Sequence, residues 1–300
     1  MNARLLFVHA LSPLHAGTGQ GVGVIDLPIA REKATNLPYL PGSSLKGTLR
    51  DTPSAQVTDD MRAKIFGPDG VNVKSEEYAG SVQFSDQRLL LLPVRSLIGT
   101  FAWVTSPYIL LRLLRDAKGV ELTSLPESVP KPATIEHSVV ARNDGLVGDG
   151  GKVYLEDLDL PLDPDAAKRE MAAAWAEWLG QQIFGGDGAD ETAWRDMLAA
   201  RFCIVHDDAL SFLLETATEI TARIKLLEDT KTVKDGALWY EEALPTESIL
   251  YGLVVATPVR KFNLDQATIF NALGSLMTGS AQFGGKATVG RGLCRMQMQS

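Results

Sequence analysis

Four short stretches hold residues whose types and spacing suit chemistry. The first is HAGTGQGVGVIDLPI, residues 15–29, in which His15 precedes glycines at Gly17, Gly19, Gly21 and Gly23 and a lone Asp26 precedes Leu27-Pro28. The second is PGSSLKGTLRD, residues 41–51, which sets Ser43 and Ser44 ahead of Lys46 and Arg50. The third is the run Trp239, Tyr240, Glu241, Glu242, and the fourth is GGKATVGRG, residues 284–292, with Lys286 and Arg291. A glycine-rich loop lets a backbone come close to a ligand and offers N–H groups to an anion. A helix opening at Ser43 or Ser44 adds a positive dipole end, with Lys46 beside it and Arg50 one turn on. The chemistry these features share is the holding of phosphate.

Mononucleotide sites do not fit. A dinucleotide fingerprint needs its third glycine to open a helix, but Gly23 is followed by Val24, Ile25 and soon Pro28. A phosphate loop of the Walker type needs Gly-Lys-Ser or Gly-Lys-Thr, and neither Gly47 nor Gly285 supplies it. Ser43 or Ser44 as a nucleophile would need a base and an oxyanion hole, and helix capping explains both more cheaply. The four histidines show no metal-ligand spacing, and His9 and His206 lie in apparent strands as structural residues. Glu241-Glu242 is an ordinary solvated pair except for its place beside Tyr240 at the foot of a polar arm. The aromatic signature of an RNA-recognition motif is absent, so bases are not expected to stack on a sheet.

The net charge of −8 argues superficially against a polyanion partner, but its distribution does not. Residues 1–50 carry five basic and two acidic side chains, and residues 260–300 carry five basic and one acidic. The ends are thus +3 and +4, and the middle carries −15. If the ends meet in space, they present one basic face on an acidic protein. Two glycine loops within those basic ends suggest a track of phosphates, whereas either loop alone is equally well explained by turn geometry.

The elements that must position these residues follow from periodicity. Residues 3–11 are apolar on both faces and predict a buried strand, as do 202–207 and 248–257. Helices are expected over 43–50, over 59–66 with an aspartate cap, over 106–117, over 165–184 capped by Asp163 or Asp165, over 208–218 and over 266–277. Residues 81–94 predict one or two strands. Residues 118–165 are an irregular insertion with a single strand at Lys152–Leu158. ITARIKLLE alternates Ile220, Ala222, Ile224 and Leu226 against Thr221, Arg223 and Lys225, then runs into a polar arm with a Lys-Asp-Gly turn at 234–236. The outline is α+β and fits a ferredoxin-like β-α-β-β-α-β palm with large insertions, as one domain over 1–300. No apolar run nears the roughly 20 residues that span a bilayer. Cys203 and Cys294 match no disulfide or zinc pattern, which suits a reduced, cytoplasmic protein.

Taken together, HAGTGQGVGVIDLPIAR, LPYLPGSSLKGTLRD, LWYEEALP and GGKATVGRG resemble the RAMP proteins of CRISPR systems, in particular the backbone subunits of type III-B (Cmr) effector complexes. The resemblance spans nearly the whole chain in order. It implies a palm with a protruding thumb that polymerises into a helical backbone along a guide crRNA, with other Cmr complex subunits as partners and no membrane. The thumb would be the arm at about 228–245, with 118–150 as its competitor. The resemblance also implies cleavage of complementary single-stranded target RNA, dependent on a divalent cation (Mg or Mn) held at Asp26. It makes Asp26 the cleavage residue, with His15, Tyr240, Glu241 and Glu242 as assistants. Guide contacts fall on Gly17, Gly19, Ser43, Ser44, Lys46, Arg50, Gly284, Gly285, Lys286 and Arg291. Two alternatives stay open: a non-catalytic scaffold, or a metal-independent RNase that processes guide RNA with His15 as base.

Overall fold

The computed structural model describes residues 2–17, 25–68, 78–122, 124–227, 229–230, 232–257, 262 and 264–299. Gly19, Gly21 and Gly23 lie outside the described residues. The chain opens with β1 (Ala3–Ala10), then β2 (Tyr39–Leu40), α1 (Gly42–Asp51), α2 (Asp59–Phe66), β3 (Val82–Phe84) and β4 (Gln87–Arg95). A long insertion follows: β5 (Phe101–Thr105), α3 (Pro107–Gly119), β6 (Ser138–Val140), β7 (Val147–Gly148), β8 (Lys152–Leu155), β9 (Leu158–Pro161), α4 (Ala166–Ile183) and α5 (Ala189–Arg201). It continues through β10 (Phe202–Val205), α6 (Asp207–Thr216), β11 (Glu219–Leu226) and β12 (Val233–Ala243). The chain closes with β13 (Ile249–Ala256), α7 (Gln266–Leu276), β14 (Ser280–Gln282) and β15 (Leu293–Met298).

The centre of the sheet runs β15-β1-β13-β4, each neighbour antiparallel to the next. With α1 carried between β1 and β4, and α7 between β13 and β15, this is the ferredoxin-like β-α-β-β-α-β order. The expected palm is present. β1 is buried on both faces because strands flank it and helices cover it, which its run Leu5, Leu6, Phe7, Val8 requires. The insertion extends the same sheet: β5 pairs with β4, β10 runs parallel to β5, and β6 closes the far edge. Trp175 and Trp178 of α4 are buried edge to face, 5.9 Å between centroids.

Several local expectations are corrected. Helix α1 starts at Gly42, and neither Ser43 nor Ser44 caps it; its first N–H donates instead to Asp86 Oδ1 at 2.9 Å. Thr58, not an aspartate, caps α2, its hydroxyl accepting from Met61 N. Asp165 caps α4, while Asp163 is buried and accepts from Ala133 N and Lys168 Nζ. Residues 118–165 hold four short strands rather than one, and the strand expected to reach Leu158 turns at Glu156, with Leu158 opening β9. β5, too short for a periodic signal, went unpredicted. The Lys-Asp-Gly stretch is not the tip of the arm. The chain reverses where Leu227 N donates to Thr232 O, and residues 234–236 fall in β12, where the register slips between the Ile224–Leu238 and Leu226–Val233 pairs.

Candidate functional site

The foot of the β11–β12 hairpin gathers most of the residues singled out by sequence. The segment after the first glycine loop lies alongside β12: Leu27 N donates to Tyr240 O at 3.1 Å, and Glu242 N donates to Leu27 O at 3.0 Å. This lodges Asp26 in the open beside the strand, its Oδ2 accepting from Tyr240 N at 2.8 Å. Tyr240 points outward, 40% exposed. His15 approaches the next residues of the same strand from the buried side. Its Nδ1 is 2.6 Å from Glu242 O. A carbonyl only accepts, so Nδ1 carries the proton and Nε2 is the nitrogen free to exchange one.

Both glycine loops close on His15. A Cβ at Gly17 would sit 2.7 Å from Nε2, so only glycine leaves the imidazole its place. From the other side Gly285 N donates to His15 O at 2.9 Å, and Gly284, at φ +73°, packs where a Cβ would fall 2.3 Å from that oxygen. Here Gly17 and the Gly284–Gly285 pair, nearly the full chain apart, form the walls of one histidine niche.

The two glutamates occupy separate networks. Glu242 is buried; Oε1 takes Arg31 Nη2 at 2.5 Å and Oε2 takes Ile29 N at 3.0 Å. Glu241 is also buried, and it accepts from Trp239 Nε1 at 2.8 Å, Lys286 Nζ at 2.9 Å and Arg223 Nε at 3.3 Å. Burial is the largest single influence on its carboxyl and pushes the pKa up. The hydrogen bonds from Trp239, Lys286 and Arg223, with the Lys286 charge, outweigh it and hold the group at about 2. Arg291 is buried too. Its Nη2 donates to Thr221 Oγ1 at 3.0 Å, and it lies within 4.0 Å of Glu241 and 3.8 Å of Glu219. Lys286 and Arg291, expected to face RNA, thus have carboxylate partners in the free chain.

Ser43, Ser44, Lys46 and Arg50 belong to α1, apart from this cluster by element, though Thr48 of the same helix donates to Gln282 O at 3.2 Å beside the second loop. Sequence reasoning missed Arg31 and Thr221 as members of the site and gave Trp239, named in the third stretch, no role there. Arg31 entered only as a charge, and its partner lies 211 residues away, so no spacing signals it. Among the described residues no three His, Cys, Asp or Glu side chains gather to hold a metal, and no helix is long and apolar enough to cross a membrane. His9 pairs with Glu247 at 2.6 Å, and both cysteines are buried, their thiols pushed up to about 12 by desolvation.

A ferredoxin-like palm whose Asp26–Leu27 segment lies along the foot of the β11–β12 hairpin defines the class: the chain belongs to the RAMP superfamily, whose profile matches residues 7–295. Among particular relatives, it is 35% identical over 301 residues to the CRISPR system Cmr endoribonuclease Cmr4 of Pyrococcus furiosus, covering 100% of this chain and 96% of that one. It is 22% identical to the CRISPR system CMR subunit Cmr4 of Saccharolobus solfataricus, across 97% and 94% of the two chains. The crystal structure of oligomeric Cmr4 from Pyrococcus furiosus superposes with a TM-score of 0.76 at 29% identity, over 99% and 98% of the chains.

Proposed function

We propose that this chain is a backbone subunit of a type III-B RNA-guided effector complex, which self-associates along a guide RNA and cleaves complementary single-stranded target RNA. The full-length similarity to a Cmr endoribonuclease and to an oligomeric homologue supports the assembly and the activity. The observation that carries the site is the exposed Asp26 carboxylate, locked to the Tyr240 amide at the foot of the hairpin with His15 hung from the same strand. Such a complex works in the cytoplasm, where guide and target meet.

RNA brings its own nucleophile in the 2′-hydroxyl, so the protein must fix an in-line geometry and manage a proton and charge. On this reading Asp26 receives the hydroxyl proton or orients the scissile phosphate. The arrangement suits a divalent cation, Mg or Mn, since one carboxylate with phosphate oxygens and water is an ordinary magnesium set. Asp26 would be its protein ligand, and the ion would offset the charge developing on phosphate. Glu241, ionised and held by three cations, and Glu242, with both oxygens engaged, are poorly placed to exchange protons. Guide contacts are assigned to the outer side of α1, at Ser43, Ser44, Lys46 and Arg50, and to the Gly284–Arg291 loop with Gly17.

Asp26→Asn in the reconstituted complex should abolish cleavage of labelled complementary RNA while leaving guide binding and assembly intact. Cleavage at the wild-type rate would leave the scaffold reading in its place. A second reading makes His15 a metal-independent base, and the fixed Nδ1 proton favours it. Cutting that survives a chelator and fails in His15→Ala would decide for that reading.

A further inference from the structure

Glu242 stands where four separate constraints cross. Its N–H holds Leu27 O, which follows Asp26 directly, and its C=O holds His15 Nδ1. Its carboxylate holds Ile29 N with one oxygen and Arg31 with the other. Arg31 in turn spans three elements: besides Glu242 it donates to Leu214 O of α6 at 3.0 Å and to Asn36 O at 3.1 Å. Ala30 N donates to Ala16 O at 2.7 Å, and Leu14 and Leu244 exchange two bonds of 2.9 Å, so both chain segments bearing Asp26 and His15 are stitched to the same strand end. The carboxylate is 3% exposed and cannot reach RNA from there.

We infer that Glu242 and Arg31 form a positioning clamp for RNA cleavage, which fixes the Asp26 loop and the His15 ring on the base of the β11–β12 hairpin without touching RNA or exchanging a proton. The inference rests on the assignment of cleavage to the Asp26 site. The physical reason is the strength of the pair: a charge-assisted bond from Arg31 Nη2 to a buried carboxylate, with further guanidinium donors tied to Leu214 O and Asn36 O, holds geometry better than neutral hydrogen bonds. What it holds is the position of the Glu242 carbonyl, and that carbonyl dictates which ring nitrogen of His15 carries the proton. The clamp also makes the site sensitive to the hairpin, because β12 cannot shift without moving both Asp26 and His15.

The test uses two readouts. In the assembled complex with guide RNA, Glu242→Ala should lower the turnover of target RNA on the order of 100-fold with KM unchanged, as expected for reacting groups displaced by about 1 Å. Glu242→Gln keeps the shape and one acceptor and should recover most of that loss. In the full-length free chain, which has four histidines, imidazole nitrogen NMR should show His15 as a single Nδ1–H tautomer. Glu242→Ala should show both tautomers. Should Glu242→Ala not fold, Arg31→Lys keeps the charge but not the donors to Leu214 O and Asn36 O, and should give the same mixed tautomers with an intermediate loss of turnover. Glu242→Gln that cuts as poorly as Asp26→Asn would overturn the inference, because Glu242 would then be a reacting group. So would a single tautomer with wild-type turnover in Glu242→Ala or, failing that, in Arg31→Lys. Asp26→Asn run alongside separates the two ideas: if it cuts normally the cleavage assignment fails, while the tautomer readout still judges the clamp.

Discussion

At the scale of single residues, adjacent Glu241 and Glu242 show how alternation along a strand divides labour. One faces Arg31 and the Asp26 loop, the other faces Lys286, Arg223 and Arg291. The Glu241 carboxyl sits at about 2, below its ordinary 4.5, so the folded state binds its proton less readily than the unfolded chain does. Its contribution to stability is therefore complete above about pH 4.5 and disappears as pH falls from there through 2. Glu241→Gln should cost about 2 kcal/mol at neutral pH, since it leaves the buried Arg291 and the partly exposed Lys286 and Arg223 short of a charged partner. In urea denaturation, wild type and variant should differ most near pH 7 and converge toward pH 2. A constant difference across that range would place the Glu241 effect elsewhere.

At the scale of elements, the β11–β12 hairpin presents an unusual face. Ile220 and Ile224 are each 51% exposed and Leu238 is 53% exposed, while Thr221, Arg223, Trp239 and Glu241 turn toward the second glycine loop. A two-stranded ribbon with an open apolar side is marginal by itself, and such a face ordinarily meets another surface. In the proposed backbone this surface would be a neighbouring copy of the chain. Ile224→Asp and Leu238→Asp should weaken self-association at least tenfold by sedimentation, on the scale of a buried apolar side chain lost from an interface. Melting of the free chain should change little, because neither side chain belongs to its core. A large drop in melting temperature would show that the face is needed by the monomer.

At the scale of the whole molecule, the two basic ends do meet: β15 pairs with β1, and the second glycine loop binds His15 O. The resulting face is partly neutralised from within, since Arg31, Lys286 and Arg291 have acidic partners. Under the proposed guide contacts, phosphate would have to displace the Glu241 carboxylate at Lys286, but not at Lys46, which lies half-exposed on α1. Lys46→Ala and Lys286→Ala should each weaken guide RNA binding regardless of sequence and lower the salt slope by about one. Unchanged affinity and slope in both would remove the phosphate track.

The β-α-β-β-α-β palm was legible in sequence because buried strands and amphipathic helices write their periods locally. β1, β13 and α7 each announce themselves within a dozen or so residues. The family resemblance, and no local pattern, pointed to Asp26, His15 and the Tyr240–Glu242 run as one site. Other features depended on partners distant in sequence. The helix start at Gly42 rests on Asp86, the short strands of 118–165 rest on one another, and β5 gains its order from pairing with β4 and β10. The alternation over 220–226 was plain, but which face is covered depends on where Arg291 and Glu241 lie. Above all, the sequence showed two glycine-rich stretches without revealing that Gly17 of one and Gly284 and Gly285 of the other close on one imidazole. Backbone space and hydrogen bonds across more than two hundred residues decide that, and no local pattern records them.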